Sequence, residues 1–127
     1  MPKRPAVAKS ELEVAQLVWQ LGKASVRQVL DALPAQRSLD FKTVQTYLRR
    51  LETKGYLRSR REGRAKVYVA RVRPEQVLRE VIHDFVHRLF GGEAIPLFQH
   101  LIEDRGLSDA EIGQLRAMLD RLENDSS

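Results

Sequence analysis

The sequence predicts a mostly α-helical protein with one small antiparallel β-hairpin, organised as two domains over residues 1–73 and 74–127. Apolar residues recur at helical spacing through most of the chain, and a short β-prone stretch interrupts them on either side of Gly63. Charge divides the chain at the same place. Residues 1–73 contain 17 Lys and Arg against 6 Asp and Glu, whereas residues 74–127 contain 5 against 11. The two domains are therefore expected to have different tasks, and the basic one suits a polyanionic partner.

The composition disfavours several classes of function. The 127 residues include no Cys, which excludes disulfides, zinc fingers and thiol catalysis. No segment approaches the roughly 20 apolar residues needed to cross a bilayer, and the basic N-terminus leads into "ELEVAQ" and not into an apolar signal segment. We therefore expect a cytoplasmic protein without membrane insertion. Because the chain has no phosphate-binding glycine loop, nucleophile motif or clustered carboxylate pair, neither an enzyme nor a cofactor is predicted.

Two helices are predicted before residue 35. The first begins with a capping-box pair formed by Ser10 and Glu13, carries an apolar stripe and ends at Gly22. The second is shorter, is capped by Ser25 and ends before Pro34.

A third helix is predicted to begin after the N-cap Asp40 and to end at Gly55. Its apolar stripe faces the core and consists of Phe41, Val44, Leu48 and Leu51. The other side is polar and positive, with Lys42, Thr43, Gln45, Thr46, Arg49 and Arg50. In a DNA major groove, Lys and Arg can bind guanine, Gln can bind adenine and a Thr methyl can contact thymine. The alternative is an ordinary solvated helix face.

A basic hairpin follows the third helix. The β-prone runs "YLRSRR" and "RAKVYVA" flank the tight-turn signal Glu62-Gly63, which predicts a two-stranded wing. Its cations are expected to contact phosphates, although an edge hairpin can also carry Lys and Arg against aggregation. They are Arg58, Arg60, Arg61, Arg64 and Lys66. Three helices and a hairpin in this order indicate a winged helix-turn-helix, whose third helix enters the major groove.

The remainder of the chain is predicted to form a three-helix dimerisation domain. One helix opens at Pro74 and stops at Gly91, a second covers about residues 95–102, and a third begins with the capping box of Ser108 and Glu111. Three helices in about 50 residues bury too little surface to be stable alone, so a second copy is expected to cover them. The predicted dimerisation residues are Val77, Val81, Ile82, Phe85, Leu89, Phe98, Leu101, Ile112, Leu115 and Leu119.

A pair of histidines raises the question of a metal site. His83 and His87 are four residues apart, a spacing that can hold a metal ion on a helix. Phe85 and Val86 crowd the same helix and no Cys is available. We therefore predict surface or interface histidines and no metal site.

Four segments along nearly the whole chain carry a family pattern: "SELEVAQLVW" at residues 10–19, "KTVQTYLRRLETKGYL" at residues 42–57, "FVHRLFGG" at residues 85–92 and "LSDAEIGQLRAML" at residues 107–119. They resemble the penicillinase and methicillin-resistance repressors, the BlaI/MecI family of winged-helix regulators. The resemblance implies a homodimeric repressor that occupies a two-fold symmetric operator on double-stranded DNA and blocks transcription of antibiotic-resistance or stress genes.

The resemblance also implies how repression ends. In the best-known members, a membrane-bound sensor protease triggers cleavage of an Asn-Phe bond in the dimerisation domain, and this chain has His100-Leu101 at that place. Derepression by proteolysis and derepression by a small ligand both stay open. Gln45 stands where those members have Arg, which implies a different operator, and the missing Cys residues exclude the copper site of one branch of the family.

Two other functions compete with sequence-specific repression. The first is sequence-indifferent, architectural DNA binding, which would give similar affinity for an operator and for random duplex. The second is a protein-interaction adaptor whose winged helix no longer binds DNA, against which the intact basic face argues.

Overall fold

The computed structural model describes residues 4–126, including every side chain in that range except Arg105 and Ser126. Over this range the chain forms six helices and three short strands: α1 (Lys9–Leu21), β1 (Lys23–Ala24), α2 (Val26–Ala32), α3 (Phe41–Thr53), β2 (Leu57–Glu62), β3 (Ala65–Ala70), α4 (Pro74–Phe90), α5 (Ala94–Arg105) and α6 (Asp109–Ser126). The predicted fold class is thereby confirmed. None of the helices in this range is both long and apolar enough to cross a membrane.

Helix α1 begins earlier than predicted. Its N-cap is Ala8, whose backbone N–H donates to a carboxylate oxygen of Glu11 at 2.9 Å. A capping box of Ser10 and Glu13 is therefore wrong, because both residues lie within the helix. An acidic side chain at the third helical position can accept the N–H of the N-cap whatever side chain the N-cap has, so Ala suffices there.

The caps predicted for the next two helices are confirmed. Ser25 Oγ accepts the Gln28 N–H at 3.2 Å and the Gln28 side chain accepts the Ser25 N–H at 2.9 Å, which completes a capping box at the start of α2. Asp40 accepts the Thr43 N–H at 2.8 Å at the start of α3. Helix α1 ends at Gly22 as predicted, where φ is 82°.

The sheet has three strands, in the order β1-β3-β2, where a two-stranded hairpin was predicted. Strand β2 pairs with β3 along its whole length. The additional strand β1 is only two residues long, with Lys23 opposite Val69 and Ala24 opposite Tyr68. Because β3 is paired on both sides, the wing is part of the sheet of the domain and not a free-standing hairpin.

The core of the winged helix lies between the helices and this sheet. In α3, Val44, Leu48 and Leu51 are completely buried, as predicted. Phe41 is not part of the core: it is 41% exposed, and the Arg27 guanidinium carbon lies 5.3 Å from the centre of its ring. The first turn of α3 extends past the core, so helical spacing alone misplaced this residue. The core is completed by Val14, Ala15, Val18, Ala24, Val29, Tyr56, Leu57 and Tyr68.

The chain divides into two compact units, one up to Ile82 and the other from His83 onward. Helix α4 begins where the second domain was predicted to start, but its first turns belong to the first unit. Val77 is 1% exposed within the core of that unit, and Val81 packs against the same core. The predicted dimerisation role is therefore wrong for Val77, since this side chain has no surface left for a second chain.

The second unit contains the rest of α4 together with α5 and α6. The predicted capping box at the start of α6 is confirmed, because Ser108 Oγ accepts the Glu111 N–H at 3.1 Å and the Glu111 carboxylate accepts the Ser108 N–H at 3.0 Å. No side chain that the structure describes between His83 and Asp125 is fully buried. The exposed large apolar residues of this unit are Leu89, Ile95, Phe98, Leu101, Ile102, Ile112, Met118, Leu119 and Leu122.

Candidate nucleic-acid interface

The outer side of α3 presents the side chains predicted to contact DNA. Because the inner side of the helix is buried in the core, helical spacing turns positions 42, 46, 49 and 53 outward. Lys42, Arg49 and Arg50 are exposed, whereas Thr43, Gln45 and Thr46 are half-buried. A surface depression on this side is lined by Thr46, Arg49, Arg50, Thr53 and Lys54. The exposed centre of α3 is thus polar and cationic, as a groove-binding helix requires.

Two hydrogen bonds at the start of α3 determine what this side offers a base. Thr46 Oγ1 donates to Lys42 O at 2.9 Å, so the hydroxyl is engaged within the helix and the methyl is the group left for thymine. The hydrogen bond from Thr43 holds the pKa of Asp40 below its ordinary value. Asp40 therefore remains an ionised cap that orders the turn carrying Lys42 and Thr43.

The wing presents its cations on two faces. A tight turn with φ of 63° at Gly63 joins β2 to β3, and residues directly opposite one another share a face of the hairpin. Arg61 lies opposite Lys66, whose Nζ is 3.7 Å from Glu52 Oε1 of α3. Arg61 and Lys66 are therefore on the face turned toward α3, and Arg60 is on the opposite face.

The wing cations also differ in whether they are already paired. Arg60 Nε donates to Glu62 Oε2 at 3.2 Å and Arg60 Nη2 lies 3.0 Å from the same oxygen, and Lys66 lies beside the α3 carboxylate. The side chains of Arg58, Arg61 and Arg64 form no hydrogen bond or ion pair with any residue that the structure describes. An unpaired cation can bind a phosphate without first breaking an ion pair. Arg58, Arg61 and Arg64 are consequently the wing residues most available to a DNA backbone.

Glu62 joins the wing to the first strand. Lys23 Nζ donates to both of its carboxylate oxygens, at 2.8 and 2.9 Å. The hydrogen bond from Lys23 is the main reason that the pKa of Glu62 is lowered, and the bond from Arg60 acts in the same direction. Since Lys23 belongs to β1 and Glu62 to β2, this ion pair connects the two outer strands of the sheet.

The end of α3 is anchored by a partly buried ion pair. Glu11 is 2% exposed, and it accepts hydrogen bonds from Lys54 Nζ at 2.6 Å and from the Ala8 N–H. Burial acts to raise the pKa of Glu11, but these hydrogen bonds and the charges of Lys54 and Arg50 together lower it. Lys54 Nζ also donates to Ala6 O at 2.9 Å. The C-terminal end of α3 is therefore held against the start of α1.

Two cations next to the interface escaped prediction from the sequence. Arg27 of α2 lies against Phe41, the first residue of α3, and Lys23 lies beside Glu62 at the wing. Both contacts join residues far apart in the sequence, so no local pattern could identify them. Neither contact has a signal in the sequence, because only the fold shows that Phe41, at the end of the apolar stripe, is exposed.

Comparison with known proteins agrees with this geometry. The family model described as penicillinase repressor matches residues 7–121. The penicillinase repressor of Bacillus licheniformis is 30% identical over 124 residues, covering 98% of this chain and 97% of that protein. The methicillin resistance regulatory protein MecI of Staphylococcus aureus strain N315 is 24% identical over 115 residues, covering 91% of this chain and 94% of that protein.

A solved structure is also similar to part of the chain. The solution structure of monomeric BlaI from Bacillus licheniformis in complex with the blaP half-operator is 33% identical, with a TM-score of 0.50. The similarity covers 59% of this chain and 92% of that one. The predicted BlaI/MecI resemblance is confirmed, because the family match extends over most of the sequence. The chain belongs to the penicillinase repressor family of DNA-binding transcriptional repressors.

Proposed function

We propose that this repressor is sequence-specific and binds a two-fold symmetric operator as a homodimer. The observation that carries the proposal is the outer side of α3, where Gln45 and Thr46 stand between Lys42 and Arg49. In a major groove, Gln can form two hydrogen bonds with adenine, and Lys or Arg can bind guanine. The wing cations, above all Arg61, would hold phosphates on either side without reading sequence.

The exposed apolar surface of the second unit supports the homodimer. Its helices bury no described side chain fully, and Ile95 and Leu122 are 68% and 63% exposed. An apolar depression between α5 and α6 is lined mainly by Phe98, Leu101, Ile102, Leu107, Leu115 and Met118. Of the predicted dimerisation residues, Ile82, Leu89, Phe98, Leu101, Ile112 and Leu119 are exposed and Phe85 and Leu115 are half-buried. A second copy covering these surfaces would present two copies of α3 to one duplex.

The proposal includes release of the operator by a signal in the cytoplasm. The candidate cleavage bond, His100-Leu101, lies within α5, and both side chains are exposed. Helical backbone must unfold locally before a protease can bind it in extended form. A membrane sensor protease would therefore need α5 to open, whereas a ligand that separates the two copies would not.

The proposal is tested by selecting bound duplexes from a random pool with the full chain at physiological salt. We expect an enriched two-fold symmetric motif whose half-sites are about one helical turn, roughly 34–36 Å, or a multiple of it apart. The same selection with Gln45→Ala is expected to lose preference at one position of each half-site, by about 1–3 kcal/mol, and to leave the other positions unchanged.

The other outcomes identify the competing functions. Binding without any enriched motif would overturn the proposal in favour of sequence-indifferent DNA association. Absence of binding to every duplex would favour the protein-interaction adaptor. An asymmetric motif would retain sequence recognition but contradict the two-fold dimer.

A further inference from the structure

The carboxylate of Glu52 connects α3 to both strands of the wing. Ser59 Oγ of β2 donates to Glu52 Oε2 at 2.5 Å, and Lys66 Nζ of β3 lies 3.7 Å from Glu52 Oε1. Each carboxylate oxygen therefore has a different partner in the hairpin. Lys66 Nζ also lies 5.3 Å from the ring centre of the buried Tyr68, so the lysine is held against the core side of the wing.

Glu52 lies on the flank of α3 that carries Gln45. The two residues are seven positions apart, which at 3.6 residues per turn brings them to the same side of the helix, about 10 Å apart along its axis. Arg49, four positions after Gln45, belongs to the same flank. The wing is thus attached to α3 in line with side chains that we propose to contact bases.

Neither DNA affinity nor the ion pair with Lys66 explains a carboxylate at this place. Glu52 is one of only 6 acidic residues among residues 1–73, and a negative charge beside a surface that binds a polyanion lowers affinity by repulsion. The side chains of Lys66 and Glu52 are 48% and 33% exposed, and ion pairs this exposed contribute little to stability. A geometric role accounts for the residue better than either.

We infer that Glu52 is a positioning residue, which holds the wing in one register relative to Gln45. The inference rests on the proposed operator binding, because a fixed register matters only when base contacts by α3 and phosphate contacts by the wing must form together. Random duplex needs no such register, since each cation can bind whichever phosphate is near. Without the contacts made by Glu52, the wing keeps all its cations but no longer holds them at one distance from the flank of α3 that carries Gln45.

The experiment compares affinities for the duplex enriched in the random-pool selection and for a random-sequence duplex, using the full chain. Ser59→Ala removes the hydrogen bond without changing any charge. We expect it to lower the ratio of the two affinities by about ten- to a hundredfold, the effect of one hydrogen bond to a charged group, and to leave the salt dependence unchanged. Glu52→Ala is expected to lower the ratio as well, while raising the affinity for random duplex through the loss of a repulsive charge.

Glu52→Gln provides a test of rescue. The amide oxygen still accepts the Ser59 hydroxyl while the attraction for Lys66 is lost, so the ratio should lie between those of wild type and Glu52→Ala. Glu75→Gln is the matched control, because it removes one negative charge from an exposed position of the same unit. It is expected to leave the ratio unchanged.

The ratio of the affinities for the two duplexes also distinguishes a loss of wing positioning from a loss of folded protein. Partial unfolding lowers the active fraction equally for both duplexes and does not change their ratio. A wild-type ratio near one would overturn the proposed sequence-specific function. A large wild-type ratio that is unchanged in both Ser59→Ala and Glu52→Ala would overturn only the role given to Glu52.

Discussion

The pairing of each wing cation determines what its removal does to DNA binding. A protein cation that neutralises a phosphate releases condensed counterions, so each such contact adds about 0.9 to the magnitude of the salt slope. Arg61 has no ion-pair partner among the described residues, so its whole charge is available to a phosphate. The charge of Arg60 is partly cancelled by Glu62, which accepts a hydrogen bond from Arg60 Nε at 3.2 Å and lies 3.0 Å from its Nη2.

Arg61→Ala is therefore expected to weaken binding to every duplex alike and to reduce the magnitude of the salt slope by about 1 for each phosphate that Arg61 neutralises in the wild type. Arg60→Ala serves as the matched variant, because it removes the neighbouring cation of the same strand. Its effect on the slope should be smaller, because Glu62 already neutralises part of its charge. Titrations of a labelled duplex at several salt concentrations measure both slopes. Equal slopes for the two variants would contradict the distinction between paired and unpaired cations.

At the scale of secondary-structure elements, an element is easier to predict when the residues that define it are close together in the sequence. The caps at Ser25, Asp40 and Ser108 depend on partners three positions away and were predicted correctly, although the equally local cap of α1 was placed two residues too late. Strand β1 consists of two residues whose partners are Val69 and Tyr68, so no period along the sequence reveals it. Long-range pairing is what single-sequence patterns do not contain.

The same reasoning applies to the interface. The polar side of α3 follows from helical spacing and charge, and its placement opposite the buried stripe agrees with the prediction. Which wing cations are paired could not be predicted, because the contact between Lys23 and Glu62 exists only once β1 has joined the sheet. Glu11 is a similar case, since its partner Lys54 lies at the end of a different helix.

The link between α1 and α3 should make stability depend on pH through Glu11. Its pKa is lower in the folded chain than the ordinary value of 4.5, so the ionised carboxylate stabilises the fold above about that pH. This contribution is lost as the pH falls through the folded-state pKa. Glu11→Gln is expected to lower the free energy of unfolding by about 1.5–3 kcal/mol at neutral pH, the contribution of a hydrogen bond to a charged group. The difference from wild type should shrink on acidification.

Urea unfolding followed by circular dichroism at neutral and acid pH measures this difference. Glu13→Gln is a suitable control in the same helix, because Glu13 pairs with Arg37 at a position where both side chains are about one-third exposed or more. Such a pair contributes about 0–1 kcal/mol. A destabilisation by Glu11→Gln that stays constant across the acid range would show that the charge of Glu11 does not explain the effect.

At the scale of the whole chain, the two units differ in what they bury. The first unit has a continuous core of completely buried side chains, whereas the described part of the second unit has none. Three helices without a buried core cannot offset the conformational entropy lost on folding, so this unit needs a further surface to cover its apolar residues. The acidic balance of residues 74–127 makes DNA an unsuitable cover, which leaves a second copy as the simplest partner.

Leu119→Asp tests this requirement. Leu119 is 59% exposed in the single chain, so the substitution disturbs little within one copy but introduces a charge into the proposed interface. We expect sedimentation at micromolar concentration to show a dimer for the wild type and a monomer for the variant. Affinity for the full operator should fall by about 100-fold or more, because two linked half-site contacts become independent, while affinity for an isolated half-site changes little.

The control for this substitution is Ala117→Asp, which adds the same charge to an exposed position two residues earlier in α6. Positions two apart do not share a side of a helix, so this variant should remain a dimer and keep its operator affinity. A Leu119→Asp variant that still sediments as a dimer would show that α6 is not part of the interface. A wild-type monomer would remove the basis for two-fold recognition, since one copy presents only one α3 to the duplex.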